Sequence, residues 1–567
     1  MKKSVKALAV VLSLAMTLSA LAACSNNKDN SSTNSNANSS TNSNANASTN
    51  SSAEENKVHT LKILGPDPGN QYIKFSEREE YKVWDLLQDM LKENGLELDL
   101  EAVPKDQYDV VIQTRMASTS LPDIANLTPI DDASILTLGK NGTIQELSGL
   151  IEQYSNGNID HMFGEVYDTA YPLIKTADGK IYWLTDLHMG GTYEGKEIPQ
   201  GLGMQIRQDW LDKVNAQMPT TLEEFTNVLR AFRQQDVNGN GKQDEIILVD
   251  AQYFNNGLAQ IFGLGNGYVA LDTVNGKIVS PWYQDNVKEY FTYLNDLVKE
   301  GLIDSATLGS WDIQNQRLAD NLVACWNAYD GATYLNGYVT SDSSANYVPI
   351  FTLTGAAEGS EPWKEVETAQ LVWERYCITK ACTDVEGAIK FFDMIYSEEY
   401  MTILHWGVEG ETYEVRDGVN YSINLGSNED KANARKTNGS PLWGDLLPRV
   451  QYGSAYKTYD QWEAVLKGQD RPDAQIQAMA KIVDYEYWYP LMLDNFLAMP
   501  TDEETETLNK ILTGIQTYSD EMCMKITLGT ESLDNFDTYL AELKNLGLDQ
   551  LISIQQARYD RFVAASK

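Results

Sequence analysis

Thr60-Leu61-Lys62-Ile63-Leu64, Leu98-Asp99-Leu100-Glu101-Ala102-Val103 and Asp123-Ile124-Ala125-Asn126-Leu127 are three short runs rich in branched apolar residues, each of strand length. Between the first two, Lys82-Val83-Trp84-Asp85-Leu86-Leu87-Gln88-Asp89-Met90-Leu91 places apolar residues at helical spacing, and Asp109 to Ala117 does the same between the second and third. Strand, helix, strand, helix, strand in that order predicts a parallel sheet covered by helices, because parallel neighbours need a crossover and a helix supplies it. Farther along the chain helices dominate, with periodic stretches at Leu222 to Gln234, Asp285 to Glu300, Val385 to Tyr396 and Glu503 to Tyr518. The predicted class is α/β with a helix-rich second half.

Ahead of these elements the sequence is of another kind. Lys2, Lys3 and Lys6 precede an uncharged apolar run, Ala7 to Ala23, which ends in Leu21-Ala22-Ala23-Cys24. A basic start, an apolar stretch and small residues before a cysteine resemble a bacterial lipoprotein signal, cut before Cys24 and lipidated there; an uncleaved helix and an ordinary secretory signal are the alternatives. One acyl chain binds membranes marginally, whereas two or three anchor a protein stably. Ser25 to Lys57 is built almost wholly from Ser, Asn, Thr and Ala, with Ser-Ser-Thr-Asn-Ser-Asn-Ala-Asn starting at Ser31 and again at Ser39. Such a segment cannot bury enough apolar surface to offset its ordering entropy, so it reads as a tether. The expected division is a signal peptide at 1–23, a lipidated Cys24 with its tether at 24–57, and a body at 58–567.

About five hundred residues remain, which suggests two or more lobes rather than one core. The formal net charge is −37, and loss of the three signal lysines takes it to −40. Such a surface repels nucleic acid and anionic lipid, so a nucleic-acid partner is excluded. The charge is read first as a solubility device and is not by itself a sign of a cationic ligand. Apart from Cys24 there are four cysteines, Cys325, Cys377, Cys382 and Cys523, too few for a disulfide framework and expected as buried thiols. The four histidines are scattered, and no His/Cys cluster has the spacing of a transition-metal site.

Asp236-Val-Asn-Gly-Asn-Gly-Lys-Gln-Asp-Glu is the clearest chemical motif. Asp236, Asn238, Asn240 and Asp244 put oxygens at positions one, three, five and nine, with Gly241 at six and the Lys242 carbonyl at seven, as in a calcium loop. Position twelve is Ile247 and not the usual Glu, so Glu245 at position ten is expected to supply that carboxylate. The competing reading is an Asn/Gly turn joining a helix to a strand. Catalytic signatures are missing: there is no Gly-x-Ser-x-Gly, and Gly263-Leu-Gly-Asn-Gly lacks both dinucleotide and P-loop spacing.

Several stretches spread over the body are similar to the family-1 extracellular solute-binding lipoproteins of bacterial ABC importers, in their larger oligosaccharide- and polysaccharide-binding branch. They are Leu121-Pro-Asp-Ile, Asp178-Gly-Lys-Ile-Tyr, Arg207-Gln-Asp-Trp-Leu-Asp, Pro219-Thr-Thr-Leu-Glu-Glu-Phe, Trp406-Gly-Val-Glu-Gly-Glu-Thr-Tyr and Tyr539-Leu-Ala-Glu-Leu-Lys-Asn-Leu-Gly-Leu. The resemblance implies a two-lobed periplasmic-binding-protein-like α/β fold with a hinge of several crossing segments. By analogy, lobe 1 spans approximately 58–183 and 372–405, and lobe 2 approximately 184–371 and 406–567. It also implies a carbohydrate held between the lobes, separate permease subunits as partners, and a place on the outer face of the cell membrane. The calcium would be structural.

With 12 Trp and 31 Tyr the chain can stack sugar rings on aromatic faces. Leu322-Val-Ala-Cys-Trp-Asn-Ala-Tyr-Asp reads as a strand opening into a polar-aromatic loop, a segment that faces the cleft in the resembled family. Trp326 and Asp330 are therefore the first ligand candidates, with a Trp packed beneath the loop as the alternative. Asp186, Arg375, Glu409 and Trp443, near expected crossings or loops, are secondary candidates. A surface-anchored polysaccharide-degrading enzyme with a structural calcium is the alternative function, since many carboxylate pairs are available to a glycosidase.

Overall fold

The computed structural model describes most of residues 58–567; outside the description lie residues 1–57 and several stretches, the longest being 68–77, 357–363, 424–446 and 468–487. Cys24, the signal, the tether, Asp330 and Trp443 therefore fall outside the described residues. Among the described residues no helix is long and apolar enough to cross a membrane.

The opening pattern folds as its periodicity dictates. Strand β1 (His59–Asp67) leads through helix α1 (Lys82–Glu93) to β2 (Leu96–Pro104), then through α2 (Lys105–Met116) to β3 (Ile124–Asn126) and on to α3 (Asp132–Lys140). β1 pairs in parallel with both β2 and β3. Inward-facing Val83, Leu87, Met90 and Leu91 of α1 press on this sheet beside Leu61, Ile63 and Leu64. The sheet has six strands in the order Val450–Gln451, β4 (Leu184–Met189), Gln370–Ile378, β3, β1, β2. Gln370–Ile378 runs antiparallel to both of its neighbours.

A second sheet of four strands, in the order Tyr347–Pro349, Gly203–Arg207, Val323–Ala328 and Ile246–Ile247, lies in a separate core. That core gathers Trp210, Phe225, Phe232, Trp282 and Phe291 with residues of the C-terminal helices Asp502–Thr527 and Phe536–Leu546. Two cores, each around its own sheet, make the molecule two-lobed. The chain passes from the first sheet to the second between Met189 and Gly203 and returns between Pro349 and Gln370. The division expected at 183/184 assigned Leu184–Met189 to the second lobe, yet this strand lies inside the first sheet and Leu187 sits in the first core. A strand buried on both faces carries no mark of which sheet it joins.

The C-terminal segment ties the lobes together. The 26-residue helix Asp502–Thr527 starts from Thr501, whose hydroxyl accepts from Glu504 N while the Glu504 carboxylate accepts from Thr501 N, a reciprocal cap. Its Leu508 and Ile515 enter the second core, whereas Phe562 of the last helix, Leu548–Ala565, enters the first. The four described cysteines are free and buried, as expected. Burial alone pushes the Cys325 thiol up, and it pushes Cys377 and Cys382 up to about 12, so none is a reactive thiolate at neutral pH.

Candidate functional site

The carboxyl end of β3 opens on a cavity of about 800 Å³ between the two cores. In open α/β sheets that end of the strands is where crevices form, because successive connections leave in different directions there. One wall is the turn Thr128–Asp132, together with Arg375 from the neighbouring strand. The opposite wall is the loop Asn266–Ala270 and one face of the helix Asp502–Thr527: Leu508, Asn509, Leu512, Thr513 and Gln516. The spacing of these five residues keeps them on a single helical stripe. Asp494, Gln555 and Arg558 also line it. Its volume falls in the range of small-ligand sites, roughly 300–1,000 Å³.

Buried hydrogen bonds hold the Thr128 turn in place. Asn126, fully buried, receives Thr128 N on its Oδ1 at 2.7 Å and donates its amide to Glu374. Thr128 Oγ1 in turn accepts from Arg375 N at 3.1 Å, locking the turn to the adjacent strand. Asp131 then caps α3, accepting from Ser134 N at 2.9 Å and Ser134 Oγ at 2.8 Å.

Asp132 is the centre of the charges. Its Oδ1 lies 2.9 Å from Arg375 Nη2, and its Oδ2 lies 3.4 Å from Arg558 Nη2. Arg558 is further committed, donating Nε to Ala498 O at 2.8 Å and Nη1 to Gln555 Oε1 at 3.0 Å. Asp494 is exposed on the cavity, and desolvation by the surrounding protein, with the charge of Asp132, raises its pKa against the opposing pull of Arg558 and Arg375. The arrangement offers hydroxyl-bearing ligands both donors and acceptors, and among the described residues it holds no nucleophile–base pair.

Of the described residues anticipated for ligand contact, Arg375 alone lines this cavity. Trp326 is 2% exposed, in a cluster with Ile246, Leu248, Val323 and Tyr347, its ring centroid 5.7 Å from that of Trp311. The expected open stacking face is therefore corrected to a packed side chain. Asp186 is fully buried, close enough to Tyr396 and Tyr400 that its charge adds to burial in raising both phenols. Glu409 is exposed in the turn before the strand Tyr413–Arg416 and is not part of the lining. Asp132, Tyr268, Asp494, Gln516 and Arg558 were missed. The one signal for them was positional: Leu121-Pro-Asp-Ile opens a strand, and the residues just past a parallel strand face a crevice.

The loop from Asp236 to Glu245 lies between the helix Leu222–Gln235 and the strand Ile246–Ile247. Asp236 takes a left-handed conformation, φ 47°, and its carboxylate accepts from Asn240 N at 3.0 Å and Gly241 N at 2.8 Å. Gly241, at φ +82°, makes a turn that a side chain would strain. Lys242 is exposed, and its N–H donates to Asn240 Oδ1 at 2.8 Å. Asp244 accepts from the amides of Asn238 and Asn240 at 3.4 and 3.0 Å. Glu245 is 1% exposed; its Oε1 accepts from Asn238 N at 3.3 Å, while its Oε2 is buried without a hydrogen-bond partner. Burial raises its pKa, with Asp244 and Asp236 adding to the effect. Among the described residues no three His, Cys, Asp or Glu side chains gather as a metal cluster. The loop is an oxygen-only donor set with one orphaned buried carboxylate oxygen, which fits a hard cation such as calcium.

No protein-family model matches the sequence. Among curated proteins the chain is 24% identical over 492 residues to the fructooligosaccharide ABC transporter substrate-binding protein FusA of Streptococcus pneumoniae, covering 84% of this chain and 87% of that one. It is 24% identical over 412 residues to lipoprotein LipO of Bacillus subtilis, covering 69% and 74%. The polygalacturonan/rhamnogalacturonan-binding protein YtcQ of the same organism is 24% identical over 377 residues, covering 64% and 68%. Among solved structures, FusA in complex with kestose superposes with a TM-score of 0.64 at 21% identity, over 89% of this chain and 99% of that one. An EF-hand mutant of FusA with fructo-nystose gives 0.66 at 20% identity, over 89% and 99%. Alginate-binding protein AlgQ2 without calcium gives 0.63 at 22% identity, over 89% and 98%. FusA, YtcQ and AlgQ2 are named as binding proteins and not as enzymes, which sets the polysaccharide-degrading alternative aside. The chain is similar over most of its length to an ABC-transporter substrate-binding protein and has the two-lobed α/β fold of the solved structures it superposes on.

Proposed function

We propose that this protein captures an oligosaccharide in the cavity between its lobes and delivers it to the permease subunits of an ABC importer. The observation that carries this reading is a ligand-sized cavity at the carboxyl end of β3, lined from both cores by paired charges and amides. Contacts drawn from both lobes are complete only when the lobes are together, so a ligand shifts the population toward closure. X-ray scattering on the purified protein tests it: the radius of gyration falls when a bound oligosaccharide is added, and an unchanged radius with saturating ligand contradicts closure.

Calcium belongs to the same proposal. Asp236, Asn238, Asn240, Asp244 and Glu245, with the Lys242 carbonyl, would hold the ion, which would neutralise the loop's carboxylates and brace it. Support comes from the unpartnered Glu245 Oε2, from the EF-hand of FusA and from AlgQ2, a protein solved without its calcium ion. Lipidation of Cys24 after removal of residues 1–23, with 24–57 as the tether, would hold the body on the outer face of the cell membrane. The sequence Leu21-Ala22-Ala23-Cys24 and the lipoprotein relative LipO support this reading.

A further inference from the structure

The charges in the cavity define the class of sugar, given the proposal that the cavity takes an oligosaccharide. Among the described residues lining it the charged side chains are Asp131, Asp132, Asp494, Arg375 and Arg558. Three carboxylates face two guanidinium groups, and no lysine joins them. Both guanidinium groups are already committed to Asp132, at 2.9 and 3.4 Å, and Arg558 spends further donors on Ala498 O and Gln555. Asp131 is occupied as the cap of α3. We propose that the ligand is a neutral oligosaccharide and that the site rejects uronate-containing chains.

A sugar carboxylate entering here would meet like charge from Asp131, Asp132 and Asp494. To reach an arginine it would have to compete with Asp132, which already faces both guanidinium groups, in a lining whose carboxylates outnumber its cations. Neutral hydroxyls face no such conflict: they donate to the carboxylates and accept from Asn509 and Gln516 without disturbing an ion pair. Selectivity of this kind comes from repulsion of the wrong ligand as much as from attraction of the right one. The overall charge of −37 acts in the same direction on an approaching polyanion.

The test is calorimetry of the purified full-length protein against neutral fructo-, malto-, xylo- and manno-oligosaccharides and against oligogalacturonates and oligomannuronates. A fully methyl-esterified oligogalacturonate, identical in skeleton to the free acid but uncharged, isolates the effect of charge. The tightest binder is expected to be neutral, with uronates weaker by about tenfold or more. The esterified chain is expected to bind better than its acid. Asp494→Asn, and independently Asp132→Asn, should narrow the gap between neutral and acidic ligands. A uronate as tightest binder, or an unchanged gap in folded variants, overturns the charge argument while leaving oligosaccharide capture standing. Silence from both panels overturns capture itself.

Discussion

Asp132 and Arg375 meet at 2.9 Å across the seam between α3 and the strand Gln370–Ile378, at the mouth of the cavity that separates the two cores. Their side chains are 17% and 21% exposed, so the pair is screened less than a surface ion pair. Asp132→Ala should leave both Arg375 and Arg558 without their carboxylate and destabilise the protein by about 1–3 kcal/mol. Denaturant unfolding measures this, and a midpoint shift with unchanged slope is expected.

Arg207 supplies a second, deeper test. Its fully buried guanidinium donates to both oxygens of Asp209 at 2.7 Å and to Asn321 Oδ1 at 2.5 Å, and it packs 4.3 Å from the centre of the Trp210 ring. Arg207→Lys removes the planar fork while keeping the charge. A loss of about 3 kcal/mol is expected, because Asp209 and Asn321 lose partners in a dry interior. Thermal unfolding of the variant checks it.

The same network predicts an acid transition. Hydrogen bonds from Ser344, with the charge of Arg207, hold the Asp342 carboxyl at about 2, below its ordinary 3.8 and against the effect of desolvation. A carboxyl lowered in the folded state contributes stability that is complete above its unfolded pKa and is lost as pH falls through the folded one. Wild-type stability should therefore decline between about pH 4 and pH 2 more steeply than that of Asp342→Asn, measured by urea unfolding across that range.

Trp326→Ala is expected to act on stability first. A tryptophan cut to alanine in a packed core costs about 3–5 kcal/mol, and Trp326→Phe should recover much of that. Chemical denaturation distinguishes this outcome from a variant of normal stability that has lost only ligand.

Chelation should lower the melting temperature, and added calcium should restore it, because a ligand bound to the native state alone is linked to folding. Glu245→Gln should abolish most of that response by removing the buried charge. A melting curve indifferent to chelator and calcium in wild type would contradict the calcium loop.

The elements that could be read directly were those whose pattern is local. α1 shows its buried stripe Val83, Leu87, Met90 and Leu91 in ten residues, and the 236–245 loop shows its oxygens in ten more. The cavity could not be read this way, since Asp132 and Arg558 meet across 426 positions and nothing local marks them as partners. Trp326 and Asp186 could not be sorted into packed or ligand-facing for a related reason. Each sits on a strand covered on both faces, where alternation no longer separates a packed side chain from one presented to a ligand. The hinge was displaced because Leu184–Met189 belongs to the first sheet through pairings with Gln370–Ile378 and Val450–Gln451, both far downstream.

The central claim is that oligosaccharide binds between the lobes against the helix Asp502–Thr527. Calorimetric titration of wild type and Gln516→Ala with the tightest-binding oligosaccharide tests it most directly. Gln516 lines the cavity from that helix, and loss of its amide should weaken saturable, one-to-one binding by about three- to tenfold without lowering the melting temperature. Unchanged affinity in the variant, or no saturable binding of any oligosaccharide to folded wild type, would contradict the account.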